Sequence, residues 1–121
     1  MKVLVIEDDR SVRKMLNIVL HRAGFEVVEA TTGKEAMGIL DSQAVEGIVL
    51  DLGLPDGMGK ELMERLNRSD SNSYSRLAWV AVSALSKEEA ARRYGPLGSN
   101  FMPKPFDPWE LVSMLQKLVP R

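Results

Sequence analysis

Short apolar runs alternate five times with stripes spaced as one face of a helix, and this alternation constrains the fold more than any other feature. Lys2–Ile6 is an apolar run suited to a strand buried on both faces. Val12, Met15, Leu16, Val19, Leu20 and Ala23 follow at helical spacing, and Gly24 closes that helix. Glu26–Ala30 reads as a second strand, after which Thr32 and Glu35 form a capping box opening a helix with Ala36, Met37 and Leu40. Gly47–Leu50 is a third strand, and Leu62, Met63 and Leu66 mark the third helix. The polar stretch Asn67–Arg76 reads as a loop. Leu77–Val82 is a fourth strand, Ser86 with Glu89 opens the fourth helix, and Ser99–Met102 is a short fifth strand. Asp107, Pro108 and Glu110 supply an N-cap, a first-turn proline and a capping acid. Leu111, Val112, Leu115 and Leu118 form the last helix's apolar stripe.

Five strand–helix units predict an α/β fold: a doubly wound parallel sheet with helices on both faces, in three layers. A chain of 121 residues has room for one such domain, expected over 1–119. Leu118–Arg121 spells the residues that a common engineered protease site leaves behind, so 118–121 reads either as that remnant or as the end of the last helix. A net charge of -1 argues against a nucleic-acid-binding surface. No apolar run approaches the roughly 18 residues that span a bilayer, and the N-terminus lacks the apolar core of a signal peptide. Zero cysteines exclude disulfides, thiolate zinc sites and thiol catalysis, and fit a cytoplasmic protein.

In sheets of this kind ligands sit at the carboxyl ends of the strands. Strand one ends in Glu7-Asp8-Asp9, strand three in Asp51, strand four in Ser83, and strand five leads to Lys104. Carboxylates gathered at one pole repel each other unless a cation is present. Oxygen ligands without His or Cys favour a hard cation, Mg²⁺ before Ca²⁺. Taken alone, Glu7-Asp8-Asp9 also reads as an N-cap and solvated first turn, with Asp9 as the cap, and Asp51 with Lys104 as a structural salt bridge. A carboxylate held beside a cation can attack phosphorus and form an acyl phosphate, so Asp51 is the candidate nucleophile. Lys104 offers a compact positive charge for a phosphoryl oxygen, and Ser83 a hydroxyl donor. Pro105 sits in the stiff segment Pro103–Phe106, a setting where cis X-Pro bonds occur.

Four motifs in order resemble the receiver domains of two-component response regulators, and the resemblance covers essentially the whole chain. Val3–Asp9 looks like the family's acidic pocket, and Asp51-Leu52-Gly53-Leu54-Pro55-Asp56-Gly57 like its phosphoacceptor strand and following loop, in the form common among OmpR-type regulators. Val82-Ser83-Ala84 resembles the Thr/Ser-Ala switch, and Lys104-Pro105-Phe106 the Lys-Pro-Phe motif. The resemblance implies a CheY-like, flavodoxin-like sheet of order 2-1-3-4-5. It implies Asp51 as phosphoacceptor, Mg²⁺ bound directly by Asp8, Asp51 and the Gly53 carbonyl and through water by Glu7, and phosphoryl oxygens held by Ser83 and Lys104. Phe101 falls at the aromatic switch position. The implied donor is a sensor histidine kinase or phosphotransfer protein. The implied response remodels the face of the fourth helix, fifth strand and fifth helix, acting on an output domain, an effector protein or a homodimer partner. Such a domain is a switch rather than an enzyme, catalysing only its own phosphorylation and dephosphorylation.

The chain departs from the family's pattern in places. Gly53 and Leu85, two past Asp51 and Ser83, replace larger or polar side chains, and a glycine there predicts fast loss of phosphate. Tyr94–Asn100 carries a proline and two glycines, which predicts an early end to the fourth helix. His21 reads as a solvated or half-buried helical residue, the methionines as core filler, and Trp109 as either a partner anchor or sheet packing. A haloacid-dehalogenase-type phosphatase would carry its nucleophile on the first strand. A flavin module would need a phosphate loop where Glu7-Asp8-Asp9 stands, and a receiver that is never phosphorylated would not need the complete residue set.

Overall fold

The computed structural model describes residues 1–67, 77–98 and 100–118. Five strands and five helices alternate along the chain: β1 (Lys2–Ile6), α1 (Arg10–Arg22), β2 (Glu26–Ala30), α2 (Gly33–Ser42), β3 (Gly47–Asp51), α3 (Gly59–Asn67), β4 (Ala78–Ser83), α4 (Lys87–Tyr94), β5 (Phe101–Pro103) and α5 (Pro108–Leu118). The strands form one sheet in the order β2-β1-β3-β4-β5, and every pair is parallel. The expected doubly wound fold and strand order are therefore what the chain adopts.

Strand alternation splits the core in two. Val3, Val5, Val49, Val80 and Val82 point to one face, where Leu16, Val19 and Leu20 of α1 and Leu111, Val112 and Leu115 of α5 cover them. Leu4, Ile6, Ile48 and Leu50 point to the other, under Ala36 of α2, Leu62, Met63 and Leu66 of α3 and Ala90 of α4. Each fully buried leucine or isoleucine contributes roughly 1.5–3 kcal/mol by leaving water. This two-sided packing explains why the central strands read as unbroken apolar runs.

The helix starts follow their caps. Asp9, Thr32 and Ser86 accept N–H bonds from Val12, Glu35 and Glu89, and Asp107 accepts from Trp109 and Glu110. Gly95, with φ 93, ends α4 after eight residues, the early end that its sequence predicts.

Several expected strand boundaries move. The third and fourth strands run one residue further, to Asp51 and Ser83, because those residues stay in register with Val82 and Pro103. The fifth runs over Phe101–Pro103, and Ser99, its expected start, lies outside the described residues. Asn100 already belongs to a turn, its N–H donating to Leu97 O, and strand pairing starts with Phe101 opposite Ala81. Pro103 is tolerated because β5 is an edge strand. Of the expected loop, only Asn67, the last residue of α3, is described; residues 68–76 lie outside the described residues, as do 119–121.

Gly59 opens α3 against the end of β3. A Cβ at Gly59 would overlap the Leu52 carbonyl oxygen and crowd Tyr94 of α4. Alanine favours helix over glycine by about 1 kcal/mol, but a clash with rigid backbone outweighs that gain. Gly59→Ala is therefore expected to lower stability by about 1–3 kcal/mol, read as a lower urea midpoint with an unchanged slope.

Candidate functional site

Parallel register carries four chemically active residues to one end of the sheet. Glu7 follows β1, Asp51 ends β3, Ser83 ends β4 and Lys104 follows β5. The strands lie side by side in that same order, so residues spread over the whole chain become neighbours. Glu7, Asp51 and Ser83 are only 1%, 6% and 5% exposed, and among the described residues they are the buried polar or charged ones. Burial of a carboxylate is costly unless it is paired, so each must find a partner.

Lys104 supplies one. Its Nζ lies 2.9 Å from Glu7 Oε1 and 3.4 Å from Asp51 Oδ2, joining two carboxylates through one ammonium. Partial burial works to lower the Lys104 pKa, but the bond to Glu7 and the charge of Asp51 outweigh it and hold it above the ordinary lysine value. Burial pushes Glu7 the other way, from 4.5 up to about 7, and its hydrogen bond with Asp51 adds to the rise, against the lowering effect of Lys104.

Carboxylate oxygens of Glu7, Asp8 and Asp51 lie within 4.8 Å of one another. Two of these residues are buried and Asp8 is exposed, so the cluster opens to solvent on one side. Clustered oxygen donors without nitrogen or sulfur fit a hard divalent cation such as Mg²⁺. The acidic tripeptide divides: Asp9 turns away to cap α1, while its own N–H donates to Glu7 Oε2 at 3.2 Å.

The backbone steadies this pole. Gly53 N–H donates to Asp51 Oδ1 at 3.1 Å, and Leu85 N–H to Ser83 Oγ at 3.0 Å. Lys104 N–H donates to the Ser83 carbonyl at 2.7 Å, and the Lys104–Pro105 peptide bond is cis. Phe101 is buried in the cluster under α3 and α4, whereas Trp109 is 52% exposed. His21 lies exposed in α1.

Two further residues brace the site, and sequence reasoning passed over both. Arg13 donates to the Glu7 carbonyl at 3.1 Å and the Asp8 carbonyl at 3.4 Å, and pairs with Glu29 of β2 at 3.8 Å. A basic residue early in a helix opposes the helix dipole, and that misfit was the available signal. Asp56, in the loop after β3, accepts from the Gly33 and Lys34 N–H groups at the start of α2. No local pattern announces that contact, because its partners lie more than twenty residues away.

Residues 3–116 match the family model of the response regulator receiver domain. The chain belongs to that family. This receiver domain is 33% identical over 121 residues to the phosphate regulon transcriptional regulatory protein PhoB of Escherichia coli, covering 99% of this chain and 52% of that protein. It is 32% identical over 120 residues to the response regulator MprA of Mycolicibacterium vanbaalenii, covering 99% of this chain and 51% of that one. The chain thus spans about half the length of both relatives. Among solved structures, chemotaxis response regulator CheY4 of Vibrio cholerae superposes with a TM-score of 0.79 at 27% identity, each chain being 98% covered. A receiver domain of two-component signalling is a switch and not an enzyme in the ordinary sense. No helix among the described residues is long and apolar enough to cross a membrane.

The raised Glu7 pKa has a stability consequence. Folding favours its protonated form, so from about pH 4.5 to about pH 7 the unfolded chain gives up a proton that the folded one keeps. Stability contributed by this group is therefore present below that window and lost as pH rises through it. Without added divalent cations, Glu7→Gln is expected to remove a downward slope of at most about 1.4 kcal/mol per pH unit. Urea unfolding of both proteins across the window checks this, and equal slopes would refute it.

Proposed function

We propose that this receiver domain accepts a phosphoryl group on Asp51 from a sensor histidine kinase or phosphotransfer protein and uses the new charge to switch its α4-β5-α5 face. The observation that carries the proposal is the placement of Asp51: a buried carboxylate at a strand end, with an ammonium at 3.4 Å and further acids within metal-sharing distance. An Asp51 oxygen attacks phosphorus, the new P–O bond forms, and the P–N bond to the donor imidazole breaks with its electron pair leaving on nitrogen. Lys104 pairs with a phosphoryl oxygen, and the Ser83 hydroxyl donates to another. Asp8, Asp51 and the Gly53 carbonyl would hold Mg²⁺, with Glu7 contributing through water. When bound, Mg²⁺ would supply positive charge that offsets the charge developing on the phosphoryl group.

The aspartyl phosphate adds roughly two negative charges at the pole. Ser83 is drawn toward them, and Phe101 fills the space it leaves. Phe101 already packs in the cluster that includes Ala90 of α4, so its rearrangement is passed to the output face. Phenylalanine lacks the hydroxyl that would hold an outward position, which weakens this coupling. The ligand of the switched face is an output domain, a separate effector or a second copy of the domain. The domain acts in the cytoplasm and, with a net charge of -1, does not itself bind nucleic acid.

Two measurements test the reading. Asp51→Asn is expected to abolish Mg²⁺-dependent labelling by acetyl phosphate, and undiminished incorporation would overturn the assignment. Gly53 is exposed and has no side chain over Asp51, leaving the acyl phosphate open to water. A Cβ there would sit 3.7 Å from Asp51 Oδ1, an ordinary contact, so larger side chains fit. Gly53→Asn is accordingly expected to slow phosphate loss several-fold, while a wild-type lifetime of many hours would contradict an open site.

A further inference from the structure

The start of α2 is bound by a loop from the other side of the site. A helix leaves its first N–H groups without partners inside the helix. Here Thr32 Oγ1 takes the Glu35 N–H at 3.1 Å, as a local cap should. The next two come from elsewhere: Asp56 Oδ1 accepts from Gly33 N–H at 3.2 Å, and Asp56 Oδ2 from Lys34 N–H at 2.9 Å. Asp56 Oδ1 is also 3.4 Å from its own loop's Met58 N–H. These backbone N–H groups outweigh slight burial and hold the Asp56 carboxyl below its ordinary value, so it stays ionised. The joint is closely fitted, because a Cβ at Gly33 would overlap the Met58 side chain and lie 3.2 Å from Asp56 Oδ1.

The same helix start is tied to the acidic loop. Glu7 N–H donates to the Ala30 carbonyl at 3.0 Å, fixing the end of β1 to the end of β2 just before α2. The two loops that carry the oxygen donors, Glu7-Asp8 after β1 and Leu52–Met58 after β3, are thus referenced to one strut. Gly53 lies between the Asp51 anchor in the sheet and the Asp56 anchor on α2, with the Gly57 N–H to Leu54 carbonyl turn between.

We infer that Asp56 is a positioning residue of the cation site: by clamping the β3–α3 loop to the first turn of α2, it sets the spacing between the Gly53 backbone and the Glu7, Asp8 and Asp51 carboxylates. This rests on the reading of that pole as a Mg²⁺ site. Asp56 touches neither cation nor phosphate and acts through the loop backbone. Support of this indirect kind commonly governs metal affinity by tenfold or more.

Three variants separate positioning from mere stability. Asp56→Ala removes the clamp, Asp56→Asn keeps one acceptor, and Thr32→Ala removes the local cap of the same helix while leaving the loop bonds intact. Mg²⁺ affinity by titration calorimetry is expected to fall on the order of tenfold in Asp56→Ala, less in Asp56→Asn, and to hold in Thr32→Ala despite a comparable loss of helix-start stability. Without added Mg²⁺, amide hydrogen exchange at Gly53 and Met58 is expected to accelerate in Asp56→Ala alone. Unchanged affinity or exchange in Asp56→Ala, against a wild type that binds Mg²⁺, overturns the positioning role. An equal affinity loss in Thr32→Ala overturns it too, by showing that general loosening of α2 suffices. A wild type with no saturable Mg²⁺ binding overturns the underlying site as well, an outcome distinct from both.

Discussion

The ammonium of Lys104 stands between two carboxylates that the fold forces into a buried pole. Glu7 and Asp51 cannot avoid each other, because β1 and β3 are adjacent parallel strands and both acids fall at their carboxyl ends. Desolvation strengthens the repulsion between them and the attraction each has for a cation. Lys104 reaches both from the end of β5, and its own burial is tolerated because it is paired twice. A site built this way responds strongly to any ligand that changes the local charge, which is what a phosphorylation switch requires.

Rigidity around that pole comes from every direction of the fold. The sheet supplies it from below, through strands packed on both faces. Arg13 holds the carbonyls of the acidic loop, and Asp56 holds the loop after β3 against α2. Gly59 lets α3 begin directly against the Leu52 carbonyl. Around α4 the structure is lighter. α4 is short, ended by Gly95, and it buries one residue, Ala90. An element with little buried surface is cheap to rearrange, and α4 belongs to the face proposed to move.

Elements were legible where local chemistry suffices. β1 and β2 match their apolar runs because both ends are set by neighbouring turns, and Asp9, Thr32, Ser86 and Asp107 cap the helices that follow them. The limits of the fifth strand are not legible locally because they depend on pairing with β4, which runs from Phe101 to Pro103. Within Glu7-Asp8-Asp9 three similar side chains take three different roles: buried partner of Lys104, exposed member of the acidic cluster, and helix cap. Asp9 was legible as the cap from its place before α1, whereas the pairing of Glu7 with Lys104 depends on which way each side chain leaves the strand end.

The order of runs, turns and caps along the chain determined by itself that five strands and five helices would form and that acids, a hydroxyl and an amine would gather at one pole. Those signals are local, or follow from the geometry of parallel crossovers. Tertiary structure alone decided that Lys104 would share its charge between Glu7 and Asp51, that Arg13 would grip the acidic loop, and that Asp56 would seat on α2. Lys104 and Glu7 are 97 residues apart, and Asp56 and Lys34 are 22 apart. At such separations a contact a few ångströms long depends on how whole layers pack, and no period or short motif carries that information.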